Sequence, residues 1–527
     1  MDNSPDRAPV VDLKAGRLRG AVEEGVTVFR AVPYATPPVG PLRWRPAQPH
    51  PGWSGVRDAT ADGPSVPQMY AEGGDPVLGG HGSPPFDEDC LTLNIWTPAV
   101  DAGRRPVLFW IHGGGFVSGS GSMPIYSGEE FARDGDIVVV SINYRTGPLG
   151  YLYLGDELDA AGKGRGAEEG EDRPCATGAG NFWLTDQLAA LRWVHDNITH
   201  FGGDPDTITV AGQSGGAVST AALAGHPEAR GMLKRVILQS PPLGLDIPAP
   251  AAYLERTAAY LQFAGAADVD ELRELPWPRL IEAAGALFGH TMRWGYWPTP
   301  FLPVRDGVTL HEHPGRTLLD DAAADIDVMI GWTREEANFG FALDAGYAEA
   351  TRDQVVARIA EVFDTDAEAV YAAYARTRPG ARPVDVLMDL ITDELFRVPC
   401  LELAEARAAS GRPVWAYQFD LPAPVHDGRL AAAHCLELPF VFHNFDKWSH
   451  VPLVRGIAPA VRDGLADTMH QAWIAFVRTG NPNHAGVPEW ERYGAESRAT
   501  MRFDSVVTSV NDLAGHSRTL HEGRRRP

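Results

Sequence analysis

Thr207-Ile208-Thr209-Val210-Ala211-Gly212-Gln213-Ser214-Gly215-Gly216-Ala217 is the stretch around which the rest of the chain is arranged. A β-branched apolar run enters Gly212-x-Ser214-x-Gly216, and small residues at helical spacing leave it (Ala217-Val218-Ser219-Thr220-Ala221-Ala222). The pattern predicts strand, sharp turn and helix, with Ser214 at the turn. Its neighbours must be small, because a strained turn brings the strand and helix backbones close together. The hydroxyl then stands clear of the sheet, at the positive end of a helix dipole. Gly and Ser are common turn residues, so the motif takes its meaning from the sequence around it.

Upstream, Pro106–Ile111 is a continuous apolar run, which suits a strand buried on both faces, and it ends at His112-Gly113-Gly114-Gly115-Phe116. Asp136–Tyr144 reads as a second buried strand and Leu184–Ile198 as a helix with Asn181 before it. Downstream, Arg235–Gln239, Ile326–Gly331 and Val414–Phe419 read as further strands. Helical patterns cover 251–300, 345–410 and Leu465–Arg478, the last closed by Gly480-Asn481-Pro482-Asn483. Strands alternating with helices predict an α/β fold, a mostly parallel central sheet flanked by helices. Val10–Ala35 predicts short antiparallel strands in front of it. Residues 60–88 and 155–180 read as surface loops, the second solvated and mobile, and the Arg524-Arg525-Arg526 tail as solvated. With no repeat and no clean linker, the chain is expected to be one domain over 1–527, with helical insertions at 251–300 and 345–410 over the site.

Net charge is −23, from 69 acidic and 46 basic residues. That balance argues against nucleic acid or an anionic membrane surface as partner. No run of eighteen apolar residues and no apolar leader is seen, so the expected location is cytoplasmic. The four cysteines, Cys90, Cys175, Cys400 and Cys435, are expected to be free thiols. Monomer and homodimer both stay open.

An activated serine needs a base within reach, a carboxylate to orient that base, and donors for the oxyanion. In α/β-hydrolases the order along the chain is serine, acid, histidine. Glu335 and Glu336 follow the strand ending at Gly331, and His434 follows the strand ending at Phe419. The His112–Gly115 turn fits an oxyanion loop, since a Cβ there would crowd the tetrahedral intermediate. His311-Glu312-His313 lacks metal-site spacing, and Gly113–Gly119 is not a dinucleotide fingerprint, so neither metal nor cofactor is expected.

The sequence resembles the type-B carboxylesterases, the group that includes bacterial p-nitrobenzyl esterases and the cholinesterases, over roughly residues 10–505. Glu88–Trp96 is similar to one signature segment of that group, and Phe201–Pro205 leading into Gly212–Gly216 to the other. Phe29–Gly40 with Leu42-Arg43-Trp44, His434–Phe442 and Gly480–Asn483 resemble further segments. The resemblance implies an α/β-hydrolase fold and a small-molecule ester as substrate. It implies Ser214 as nucleophile, His434 as general base and acid, Glu336 rather than Glu335 as orienting acid, and the N–H groups of Gly114, Gly115 and Gly215 as oxyanion donors. The same three side chains suit carbamates, amides, lactones or acyl transfer, and a silent binding module is the remaining alternative.

Four positions depart from the family pattern. Gln213 and Gly215 stand where Glu and Ala flank the serine, Trp183 stands where Gly is usual, and Cys90 lacks its upstream partner. Phe116, Trp294, Trp297 and Phe396 are candidates for a substrate pocket, with the hydrophobic core as the competing place for such rings.

Overall fold

The computed structural model describes residues 8–69, 77–78, 85–155, 180–522 and 524. Its strands are β1 (Val10–Leu13), β2 (Gly16–Arg19), β3 (Ala21–Glu23), β4 (Val26–Pro33), β5 (Val56–Asp58), β6 (Thr92–Thr97), β7 (Arg105–Ile111), β8 (Val138–Ile142), β9 (Gly203–Gln213), β10 (Arg235–Gln239), β11 (Asp327–Thr333), β12 (Val414–Phe419), β13 (Ala499–Phe503) and β14 (Thr508–Asn511). β1, β2 and β5 make a three-stranded sheet, and the others an eleven-stranded one in the order β14-β13-β12-β11-β10-β9-β7-β8-β6-β4-β3. The centre, from β8 to β13, is parallel. Antiparallel pairs close both ends, β13 with β14 on one side and β8, β6, β4 and β3 on the other. This is the α/β-hydrolase arrangement expected from the sequence.

Burial explains the continuous apolar runs. Val107, Phe109 and Ile111 of β7 enter one core, and Leu108 and Trp110 the other. Alternate side chains of a strand leave opposite faces, so a strand covered twice must be apolar throughout. From β7 the chain steps out to β8 and returns on the other side as β9. The two loops that leave β7 and β9 are therefore adjacent, with Ile111 paired to Gly212. Such a reversal of strand order opens a crevice at the carboxyl ends of the strands.

Some boundaries differ from the expectation. The helix expected at Leu184–Ile198 runs Phe182–Asn197; Asn181 precedes it as expected, but the Asn181 side chain does not cap the first turn. Its carboxamide instead brackets Val304, donating to the carbonyl at 2.7 Å and accepting from the N–H at 3.0 Å. The helix expected from Leu465 begins at Pro459, where proline's missing N–H costs nothing in the first turn. Arg524 is not solvated but pairs with Glu402 at 2.7 Å. Of the mobile loop expected at 155–180, residues 156–179 lie outside the described residues, and Cys175 with them. Cys90, Cys400 and Cys435 are buried and in no disulfide, as expected.

Candidate active site

The turn after β9 is strained at Ser214. Its φ of 58° and ψ of −126° lie where a non-glycine residue is rarely found. The main chain holds it there, since Ser214 N–H donates to the Gln239 carbonyl of β10 at 2.8 Å. The helix Gly215–Gly225 starts at once. Glycine at 216 is obligatory, because a Cβ would stand 2.2 Å from the Ile111 carbonyl oxygen. At Gly215 the nearest atoms to a Cβ would be those of the Phe116 ring, at 3.1 Å, with the Phe116 backbone nitrogen at 3.5 Å.

Glu336 and His434 come from the loops after β11 and β12. Glu336 is fully buried; Oε1 accepts from the Thr333 N–H at 2.7 Å, and Oε2 faces His434 Nδ1 at 2.5 Å. This pair fixes the imidazole with its proton on Nδ1 and its lone pair on Nε2. Glu335, next in sequence, points the other way. It accepts from the Ala432 N–H at 3.2 Å and from Arg378 at 3.3 Å, and so ties down the loop that carries His434. Burial raises the Glu335 carboxyl above its ordinary range, against the pull of Arg334 and Arg378.

The expected contact between Ser214 and His434 is not closed. The Gln213 carboxamide takes the position, its nitrogen 3.0 Å from His434 Nε2 and 3.4 Å from Cys435 Sγ. Among the described residues Ser214 Oγ makes no hydrogen bond. The reason is proximity: Gln213 precedes the serine, is itself buried, and carries a good donor for an imidazole lone pair. Hydrogen bonds of this kind are often long or misdirected without substrate and tighten when it binds.

The glycine loop after β7 lies beside the serine. Gly114 and Gly115 have φ of 124° and 59°, values that suit glycine, and a Cβ on Gly114 would overlap the Ser118 carbonyl at 2.1 Å. Among the described residues neither N–H donates to the backbone, and the Gly215 N–H, first in its helix, has no intrahelical acceptor. Phe116 has φ of 66°, an uncommon value for a bulky residue, and packs on Tyr151 at 5.2 Å. Tyr151 in turn stacks on Trp183, with centroids 5.3 Å apart and planes 5° from parallel. The bulk of Trp183 thus buttresses the glycine loop through one intervening ring, a role with no signal in the sequence. His112 stacks on Tyr144 at 4.5 Å, and burial lowers its pKa to about 4, so the ring is neutral.

A narrow pocket opens at Ser214, lined by Gly115, Phe116, Gly215, Trp297 and Phe396 among others. Trp297 and Phe396 also lie 6.0 Å and 5.2 Å from the His434 ring. Trp294 is not brought there. It stacks on Tyr347 at 5.7 Å, because the irregular chain through Gly295 and Tyr296 turns the two tryptophans apart. Behind the site Glu437 is fully buried, and burial, then the nearby Glu336, raises its pKa to about 7. Its Oε1 accepts from Gln239 at 3.3 Å, in the residue whose carbonyl holds Ser214. Sequence reasoning passed over both Gln239 and Glu437.

Comparison with known proteins places the whole chain among esterases. A profile described as the carboxylesterase family matches residues 7–519. The chain is 49% identical over 509 residues to a phenmedipham hydrolase of Pseudarthrobacter oxydans, covering 96% of this chain and 97% of that protein. It is 34% identical to a para-nitrobenzyl esterase of Bacillus subtilis (strain 168), covering 97% of each. A solved carboxylesterase of Geobacillus stearothermophilus superposes with a TM-score of 0.84 at 39% identity, covering 97% of this chain and 99% of that one. A family profile over nearly the whole chain, and relatives matched over nearly their full length, mean that the chain belongs to the carboxylesterase family.

Proposed function

We propose that Ser214, His434 and Glu336 perform the chemistry of this carboxylic ester hydrolase. Ser214 Oγ attacks the ester carbonyl as His434 Nε2 takes its proton, and Glu336 holds the imidazolium that forms. The oxyanion is received by the N–H groups of Gly114, Gly115 and Gly215. The alcohol leaves with the proton returned by His434, and water deprotonated at the same nitrogen releases the acid. The observation that carries this reading is the 2.5 Å pair between His434 and a fully buried Glu336, which leaves Nε2 as a base. For the cycle to run, the Gln213 carboxamide gives up Nε2 to the serine hydroxyl.

Trp297 belongs to the 251–300 segment and Phe396 to the 345–410 segment, and both line the pocket. That supports one catalytic unit with the two helical segments laid over its site. The phenmedipham hydrolase favours a second reading, in which the same serine opens a carbamate. Among the described residues no helix is long and apolar enough to cross a membrane. The buried free thiols support a cytoplasmic location.

The test is Ser214→Ala assayed on p-nitrophenyl butyrate and on phenmedipham, with fluorophosphonate labelling of both proteins. Turnover on both substrates falls about 10⁶-fold and labelling disappears. Near wild-type turnover by the variant overturns the assignment of Ser214.

A further inference from the structure

In the hydrophobic layer that contains Phe131, Phe442 and Phe476, three helical segments meet at a second polar cluster. Asp134 lies in the helix Glu129–Gly135, His443 follows the helix Leu438–Phe442, and His470 lies in the helix Pro459–Thr479. Each offers one ligand atom, and these atoms all lie within 4.8 Å of one another. The residues are 309 and 27 positions apart along the chain, counting from 134 to 443 and from 443 to 470, so no spacing motif announces them.

The two rings are prepared in the same way. His470 is 1% exposed, and its Nδ1 pairs with the Val441 carbonyl at 2.7 Å. That contact fixes the proton on Nδ1 and leaves a lone pair on Nε2, which has no hydrogen-bond partner. Nε2 of His443 sits 3.1 Å from an Asp467 carboxylate oxygen, and its buried Nδ1 has no partner either. A backbone carbonyl on one histidine and a carboxylate on the other are the supports that metal-binding imidazoles ordinarily have. A buried polar atom without a partner costs stability, and two on facing rings ask for something between them.

The third member is a carboxylate. Asp134 Oδ2 stands 3.8 Å from His470 Nε2. Two ligands each about 2 Å from a zinc ion are about 3.4 Å apart at the tetrahedral angle. The remaining closure falls on Asp134 and His443, whose side chains are 35% and 29% exposed and have room to move. We propose that Asp134, His443 and His470 bind a divalent transition metal of the zinc type, with two imidazole nitrogens, one carboxylate oxygen and water completing the shell. Hard ions such as magnesium and calcium prefer an all-oxygen shell, which this donor set does not provide. The site would pin the segment that follows His434 to the two helices beneath it, and so act on stability.

The experiment uses the untagged full chain, stripped with EDTA and dialysed, and compares wild type with His443→Gln and Asp134→Asn. Both substituted side chains are partly exposed, and melting in EDTA shows that each variant is folded. Zinc is titrated by calorimetry, and cobalt is added for its d–d absorption. The expected result is one equivalent of zinc on wild type with a raised melting temperature, a cobalt spectrum of tetrahedral intensity, and loss of all three in both variants. Asp467→Asn, which removes the carboxylate behind His443, weakens zinc binding about 10-fold or more. Equal zinc uptake by wild type and both variants overturns the site, and so does no uptake by wild type.

Discussion

The carboxamide nitrogen of Gln213 lies 3.0 Å from Nε2 of His434, on the nitrogen that a serine relay reserves for Ser214. The amide there is neutral and adds no charge beside the imidazole. A carboxylate there would stabilise the imidazolium instead.

Gln213→Glu tests that difference. An added negative charge favours protonated His434, and the protonated ring cannot act as base, so activity needs a higher pH. The acid limb of the kcat/KM profile is expected to move up by about one pH unit. Turnover of a quaternary ammonium ester rises relative to its neutral isostere. An unmoved limb, measured on a neutral p-nitrophenyl ester, shows that position 213 does not act on the base.

Two adjacent carboxylates have different duties, and substitution separates them. Glu336→Gln cannot hold the Nδ1 proton in place, and kcat falls on the order of 10⁴-fold with little change in KM. Glu335→Gln weakens the tie to Ala432 and Arg378, so the melting temperature drops while kcat is largely kept. The reverse outcome would exchange their assignments.

The glycines after the serine differ in tolerance. A Cβ at 216 meets backbone oxygens of Ile111 and His112 at 2.2 Å and 2.6 Å, and neither can retreat without breaking β7. Gly216→Ala is expected to yield little folded protein. At 215 the nearest atoms belong to the Phe116 side chain, which can give way, and alanine restricts the unfolded chain more than glycine does. Gly215→Ala should therefore fold, melt no lower than wild type and keep activity, with KM altered where the Phe116 ring lines the pocket. Expression yield, circular dichroism and steady-state kinetics decide the contrast.

Glu437 makes stability depend on pH. Its folded pKa of about 7 lies above the ordinary 4.5, so the native state binds the extra proton. Its contribution is fully present below about pH 4.5 and is lost as pH rises through 7, about 3 kcal/mol in all. Glu437→Gln imitates the protonated form. The variant should melt with wild type near pH 5 and above it at pH 8, where parallel curves would place the Glu437 proton elsewhere.

The sheet was legible because its central strands are covered on both faces, and Pro106–Ile111 or Arg235–Gln239 has no other stable home. The serine turn was legible because steric demand restricts Gly212 and Gly216 to one residue type. Glu336 could not be told from Glu335 by local pattern, since the choice depends on which way a tight turn aims two neighbours. Trp294 and Trp297 pose the same problem three residues apart. The contact of Gln213 with His434 spans 221 positions and rests on a rotamer, and Trp183 acts through Tyr151. Relations of that kind exist only after the chain has closed.

The three proposed reacting side chains leave the ends of β9, β11 and β12, in that order along the polymer. During synthesis the serine turn emerges from the ribosome long before its base. A nascent chain that has already built the Ser214 elbow remains chemically silent until the loop beyond β12 is extruded and docks. On the proposed assignment hydrolysis begins only near completion of translation, and C-terminal truncation before residue 434 is expected to leave an inert product rather than an unregulated one.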